Sequence, residues 1–429
     1  MNNIFDYLDW RGDLTFQQDD LNEVDSLIFS VLAYLEFSGI VPGEGDEGAI
    51  SLEEACEVYR GIYGDKLPVE LNNPFFREIP KLFFKAASSN RFKGTQLSSY
   101  INLVDHELSN QFSATVFSLD EEKHFIAFRG TDNTLAGWKE DLQMSFRDEV
   151  KAQRDAVLYT RKIMENYQGR FYLGGHSKGG NLAVYAGAAM KPELQDWIIG
   201  VYNNDGPGFM SHVIEGEGYQ RILQRIHTFV PKSSVVGILL EHGEEFITVN
   251  SNGLSFMQHN PLLWEVKGKH FVYEKGLTKG SKNLNTAVRL WLNQLSMEER
   301  AEFVDALFDI VQATGAMTVN DLSQNKLSLA NDMIKSYKNM NPVAKDHLKN
   351  VLKKFFEKSQ QVWLSSLEKD VASLGEGVAS FIARTPKIGK RVAPPIRSLV
   401  GLNINKPDIS AKKDELAKKD RDKRSIDEK

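Results

Sequence analysis

The chain has 429 residues, 41% of them hydrophobic and 26% charged. That composition excludes a disordered chain and is enough for a large core and more than one domain. The net charge of −6 is uneven: residues 381–429 carry 14 Lys+Arg against 7 Asp+Glu, which leaves an acidic body and a basic tail. An acidic body argues against nucleic acid as principal partner, whereas the basic tail permits contact with anionic lipid, as peripheral membrane contact, or with nucleic acid.

A single cysteine, Cys56, excludes an intrachain disulfide, gives no support for a cysteine-based metal site and suits a reducing compartment. The start, Met1-Asn2-Asn3-Ile4-Phe5-Asp6, lacks the basic and apolar regions of a secretory leader. No apolar run is long enough to cross a bilayer. The expectation is a cytoplasmic protein.

Residues 1–23 read as polar and irregular, with Trp10-Arg11-Gly12-Asp13 as a turn. Val24, Leu27, Ile28, Val31, Leu32 and Leu35 predict an amphipathic helix over 22–38, stopped by Gly39. Gly43 to Gly48 is an acidic, solvated loop; helices follow over 51–63 and within 74–91. Residues 114–119 and 124–128 read as strands joined by the Asp120–Lys123 turn. Helices over 135–146 and 150–167 precede strands over 171–174, 198–203, 226–230 and 246–249. Strands alternating with helices predict an α/β fold with a mostly parallel sheet covered on both faces. From 282 the pattern is helical, over 283–295, 297–314, 318–340 and 342–374, and after Pro386 large apolar residues become sparse. The expected organisation is an α/β domain over 1–281, a helical extension over 282–383 and a basic, flexible tail over 384–429.

Gly175-His176-Ser177-Lys178-Gly179 stands between the apolar run Phe171-Tyr172-Leu173 and a helical run. In that context G-x-S-x-G forms a nucleophile elbow: small residues permit a strained turn that presents a serine hydroxyl above the sheet. Such a serine needs a base, an orienting acid and an oxyanion site. In the chain order serine, acid, histidine, the best base is His259, on a loop after the last strand, with His270 in reserve. Asp205 directly follows the strand after the elbow helix and is the best-placed acid, with Glu241, Glu244 and Glu245 as competitors. The expected oxyanion donors are the backbone N–H groups of Lys178 and Thr131.

Phe128-Arg129-Gly130-Thr131, Trp138 and Asp141, and Gly175 to Ala183 together resemble the class 3 lipases, α/β-hydrolases acting on carboxylic esters of lipids. The opening Tyr7 to Asp13, the stretch Ser233 to Leu240 and Gln258-His259-Asn260-Pro261 resemble more closely still a bacterial family of lipase-like proteins common in Firmicutes. The resemblance implies an α/β-hydrolase fold, Thr131 as oxyanion residue, Asp141 as the aspartate holding its loop, and a lid region over 132–146. His176 is a supporting residue of the same motif. The chain departs from class 3 lipases in two places. Thr228 to Ser233 lacks their acid, and Lys178 stands where leucine is usual, tolerable if only its backbone N–H is used.

The resulting expectation is a serine esterase or lipase acting without cofactor or metal on a small ester or lipid. The alternatives are an inactive hydrolase-like scaffold, or an acyltransferase or thioesterase on the same site. The sequence leaves the oligomeric state open.

Overall fold

The structure is a computed structural model that describes residues 2–64, 77–105, 110–131, 135–144, 146–314 and 326–384. Eight strands form one sheet in chain order: β1 (Ile50–Ser51), β2 (Gln96–Asp105), β3 (Asn110–Ser118), β4 (Lys123–Phe128), β5 (Arg170–His176), β6 (Ile198–Asn204), β7 (Ile226–Pro231) and β8 (Ile247–Val249). Neighbours from β1 to β4 are antiparallel and those from β4 to β8 parallel. A minor two-stranded ribbon pairs β9 (Val266–Lys267) with β10 (His270–Phe271).

Parallel strands laid down in sequence need crossovers, and right-handed crossovers all running one way stack their helices on one face. That face is covered by α6 (Lys151–Asn166) and α7 (Lys178–Ala189), followed by the short α8 (Pro192–Gln195), α9 (Ser211–Ile214) and α10 (Glu217–Ile222). Ala156, Ile163, Leu182 and Ile222 pack there against Ile126, Phe128, Leu173 and Val201. The opposite face would be left bare. It is closed by the N-terminal helices α1 (Ile4–Arg11), α2 (Glu23–Leu32), α3 (Leu52–Tyr63) and α4 (Ile79–Ala87), with Trp264 and Phe271 from the segment after β8. Strand alternation assigns Phe125, Tyr172 and Tyr202 to this second layer.

Three departures from the sequence reading have physical causes. The N-terminal segment is not irregular: α1 is fastened by an Asn3–Asp6 capping box and buries Ile4, Tyr7 and Leu8, too few residues to show a period. The helix expected over 22–38 ends at Leu32, and every residue from Val24 to Leu32 is buried, so it is a central rather than an amphipathic helix. Strand β2 was hidden because Gln96, Ser98, Ser99 and Asn102 are polar, and its register breaks between Ser98 and Ile101, where Ser99 has φ +52°.

Helix α5 (Leu135–Gln143) precedes α6. The C-terminal helices are α11 (Lys279–Leu292), α12 (Met297–Gln312), α13 (Lys326–Asn339) and α14 (Pro342–Arg384). Val304, Phe308 and Val311 of α12 pack with Leu142 and Phe146, and Lys139 on α5 pairs with Asp305 at 2.9 Å. By contact the chain divides into Met1–Trp363 and Leu364–Lys429, a division that falls inside the expected helical extension. The second unit is helical as far as Arg384. The tail from 385 and the stretch 318–325 lie outside the described residues. Among the described residues no helix is long and apolar enough to cross a membrane.

The N-terminal layer is tied down by a buried ion pair. Arg91 donates to both oxygens of Asp25, at 2.8 and 2.5 Å, and Tyr7 Oη donates to Asp25 Oδ1 at 2.7 Å. Both charged side chains are fully buried. Removing one partner strands the other, which costs about 3–5 kcal/mol. Asp25→Ala is therefore expected to lose about that much stability in urea unfolding, and a loss below about 1 kcal/mol would contradict this account of the layer.

Candidate active site

Strand β5 ends at His176 and α7 begins at Lys178, so Ser177 alone makes the turn, with φ +57° and ψ −132°. A non-glycine residue there is strained and persists because its surroundings hold it. Its N–H donates to Asn204 O at 2.9 Å, and its carbonyl accepts from Gly180 N at 2.9 Å. The flanking glycines are steric necessities. A Cβ on Gly175 would lie 2.2 Å from the Gly179 carbonyl carbon, and one on Gly179 would lie 2.1 Å from Phe128 O. Strand β4, strand β5 and helix α7 converge on the serine only because both positions lack side chains.

Asp205 follows β6, also at positive φ (+56°), and is fully buried. Its Oδ2 lies 2.6 Å from His259 Nδ1. Its Oδ1 accepts from Ser234 Oγ at 2.6 Å and from Gly237 N at 3.1 Å. A carboxylate partner makes Nδ1 the protonated nitrogen and leaves Nε2 as the basic one. Loops after β6, β7 and β8 thus meet on one carboxylate.

The His259 segment is fixed from several sides. His259 ends a short 3₁₀ turn, Ser255–His259. Trp264 Nε1 donates to Gln258 O at 3.0 Å, and Gln258 Oε1 accepts from Ser233 N at 2.8 Å. His176 Nε2 donates to His259 O at 2.8 Å, and the two imidazole rings lie 4.5 Å apart between centroids. Burial, then the neighbouring His259, holds the His176 pKa well below the ordinary histidine value, so this ring is neutral. Its Nδ1 accepts from Tyr34 Oη at 3.1 Å. The residue before the serine therefore props the backbone of the histidine.

Thr131 Oγ1 donates to Asp141 Oδ2 at 2.6 Å, the contact the lipase resemblance implies. Asp141 Oδ1 is buried without a hydrogen-bond donor among the described residues. Burial is the largest influence on this carboxyl and pushes its pKa up to about 6, against the opposing pull of Lys178 and Thr131. Residues 132–134 and 145 of the lid-like stretch lie outside the described residues.

Lys178 corrects one expectation: its side chain does more than fill the place of an apolar residue. Its Nζ is fully buried, 2.9 Å from Glu140 Oε2 and 3.0 Å from Gln111 O. Glu140 also accepts from Ala152 N at 3.1 Å. The pair ties α5, β3, the start of α6 and the start of α7 together directly behind the elbow. As the first residue of α7, Lys178 has a backbone N–H with no acceptor inside the helix. Glu140 was missed from the sequence, although a lysine beside a buried nucleophile already signals that a buried acid must balance it.

The remaining candidates lie elsewhere. His270 is exposed, with Nδ1 3.4 Å from Glu23. Glu241 pairs with Arg289 at 2.6 Å, and Glu244 is held by Tyr219, Thr228 and His242. Glu245 is exposed. Among the described residues no group of His, Cys, Asp and Glu is arranged to hold a metal ion.

Two stability measurements test this geometry. Lys178→Leu, which leaves Glu140 buried and unpaired, is expected to cost about 3–5 kcal/mol, with most of the loss recovered in Lys178→Leu/Glu140→Leu; equal losses in both variants would contradict a buried pair. Asp141 binds a proton more tightly folded than unfolded, so its contribution to stability falls as pH rises from about 4 through about 6. Asp141→Asn is therefore expected to gain more in Tm at pH 8 than at pH 5, and the reverse order would contradict the raised pKa.

The crystal structure of M37 lipase aligns over 51% of this chain and 70% of its own, at 14% identity and a TM-score of 0.31, a likeness too loose to carry an argument. No curated protein matches this chain. The Mbeg1-like family model matches residues 86–309, which span the sheet from β2 to β8 and include Thr131, Asp141, Ser177, Asp205 and His259, and the chain belongs to the Mbeg1-like family.

Proposed function

We propose that the protein is a serine hydrolase that cleaves a carboxylic ester through an acyl-enzyme. Ser177 attacks the acyl carbonyl as His259 Nε2 takes its proton. Asp205 fixes the imidazole through Nδ1 and stabilises the imidazolium that forms. The N–H groups of Lys178 and Thr131 hold the oxyanion, where each donor is worth about 10²–10³ in rate. The imidazolium then protonates the leaving alcohol. Water, activated by the same histidine, releases the acid and frees the serine.

The observation that carries this reading is the 2.6 Å contact between Asp205 and His259, reached from two different loops beside a strained serine. A buried carboxylate that orients a histidine beside a strained serine is the arrangement that acyl transfer requires. The acid sits after β6, the strand next to the serine strand, which accounts for the carboxylate missing from Thr228 to Ser233.

A fluorophosphonate probe is expected to label the wild-type chain and not Ser177→Ala. Asp205→Asn is expected to lower kcat on a p-nitrophenyl ester by roughly 10⁴, with circular dichroism unchanged. A folded wild-type chain that takes no label, or an Asp205→Asn variant of full activity, would overturn the proposal.

A further inference from the structure

The two N–H donors of the proposed oxyanion hole come from different elements. The ladder between β4 and β5 ends at Phe128 and Gly175, and both Thr131 and Lys178 lie beyond it. Donors that hold an oxyanion must sit about 2.7–3.1 Å from it, a tolerance that two separate chain ends do not meet unaided. Here each donor residue is tethered by its side chain. Thr131 Oγ1 donates to Asp141 Oδ2 at 2.6 Å, and Lys178 Nζ donates to Glu140 Oε2 at 2.9 Å. The two acceptors are consecutive residues of α5, with Cα atoms about 3.8 Å apart. Successive side chains leave a helix about 100° apart, so one peptide unit reaches two elements. That unit is itself fixed. Glu140 is 1% exposed and accepts from Ala152 N at 3.1 Å, and α5 packs through Leu142 against Val304 and Phe308 of α12.

Stability alone does not account for an ion pair at this place. Two well-packed apolar side chains of similar volume are commonly as stable as a buried pair of charges, or more so. The ion pair differs in being directional, with its length set by charge-assisted hydrogen bonds. A lysine–glutamate tie therefore fixes the distance from α5 to the first turn of α7, whereas an apolar contact tolerates sliding. We infer that Glu140, acting through the Lys178 ammonium, is a positioning residue for the oxyanion hole. It does for the Lys178 N–H what Asp141 does for Thr131, and both refer to the same piece of α5. The inference rests on the serine hydrolase reading and deepens it.

The test compares the full wild-type chain with two variants. Glu140→Asp keeps the charge and withdraws the carboxylate by one methylene. Lys178→Leu/Glu140→Leu removes both charges and strands neither. Each is expected to lower kcat on p-nitrophenyl acetate by about 10–10², because the N–H is displaced rather than lost, with KM and the pH profile unchanged. Inhibition by an aryl trifluoromethyl ketone is expected to weaken by the same factor. Ser177 Oγ adds to the carbonyl carbon of that ketone, the hydroxyl proton passes to His259, and the carbonyl π pair becomes an alkoxide in the hole. Its affinity therefore reads the hole, which a purely structural role of the pair would leave intact. If Glu140→Asp does not fold, the double variant decides. Wild-type kcat in a folded variant, or a lowered kcat with unchanged ketone affinity, would overturn this inference alone. A wild-type chain without Ser177-dependent turnover would overturn the hydrolase reading and this inference with it.

Discussion

The site depends on one buried carboxylate. Asp205 accepts from Ser234, Gly237 and His259, so that loops after three successive parallel strands are held to a single group. Burying an anion is costly unless it is met by donors, and three donors are what make this position tolerable. The same requirement dictates the order of the fold. Only consecutive parallel strands bring the ends of β6, β7 and β8 to one edge, beside the turn at Ser177. The crossovers of such a sheet crowd onto one face, and the N-terminal helices are needed to cover the other.

Those N-terminal helices do more than shield apolar surface. Tyr34 lies just after α2, and its hydroxyl fixes the His176 tautomer that donates to the His259 carbonyl. Ser30, within α2, accepts from Asn204, the residue before Asp205. Residues 1–85 lie outside the family match, yet they reach His259 and Asp205 through one intermediate each. On the other side, the Lys178–Glu140 pair links the start of α7 to α5. The strained turn at Ser177 is therefore clamped from both layers, which is what holds a non-glycine residue at positive φ.

Much of this was legible in the sequence because its elements announce themselves locally. The elbow glycines are demanded by contacts under 2.3 Å, so their pattern is rigid. Asp205 stood out by position alone, at the end of an apolar strand, and His259 by chain order. Interactions that join distant, unpatterned residues were not legible. Strand β2 hides behind serines and a bulge, and α1 behind its shortness. The Lys178–Glu140 pair joins residues 38 apart, and although the lysine beside the serine calls for a buried acid, no local pattern singles out Glu140 as that acid.

The central claim is that Ser177 becomes covalently acylated with His259 as its base. Its most direct measurement is a pre-steady-state burst with p-nitrophenyl acetate, followed by mass spectrometry of the quenched protein. The account predicts release of about one nitrophenolate per chain before turnover, and an acetyl group on the peptide that carries Ser177. A folded, monodisperse chain that shows no burst, or that carries the acetyl group on another residue, would contradict it.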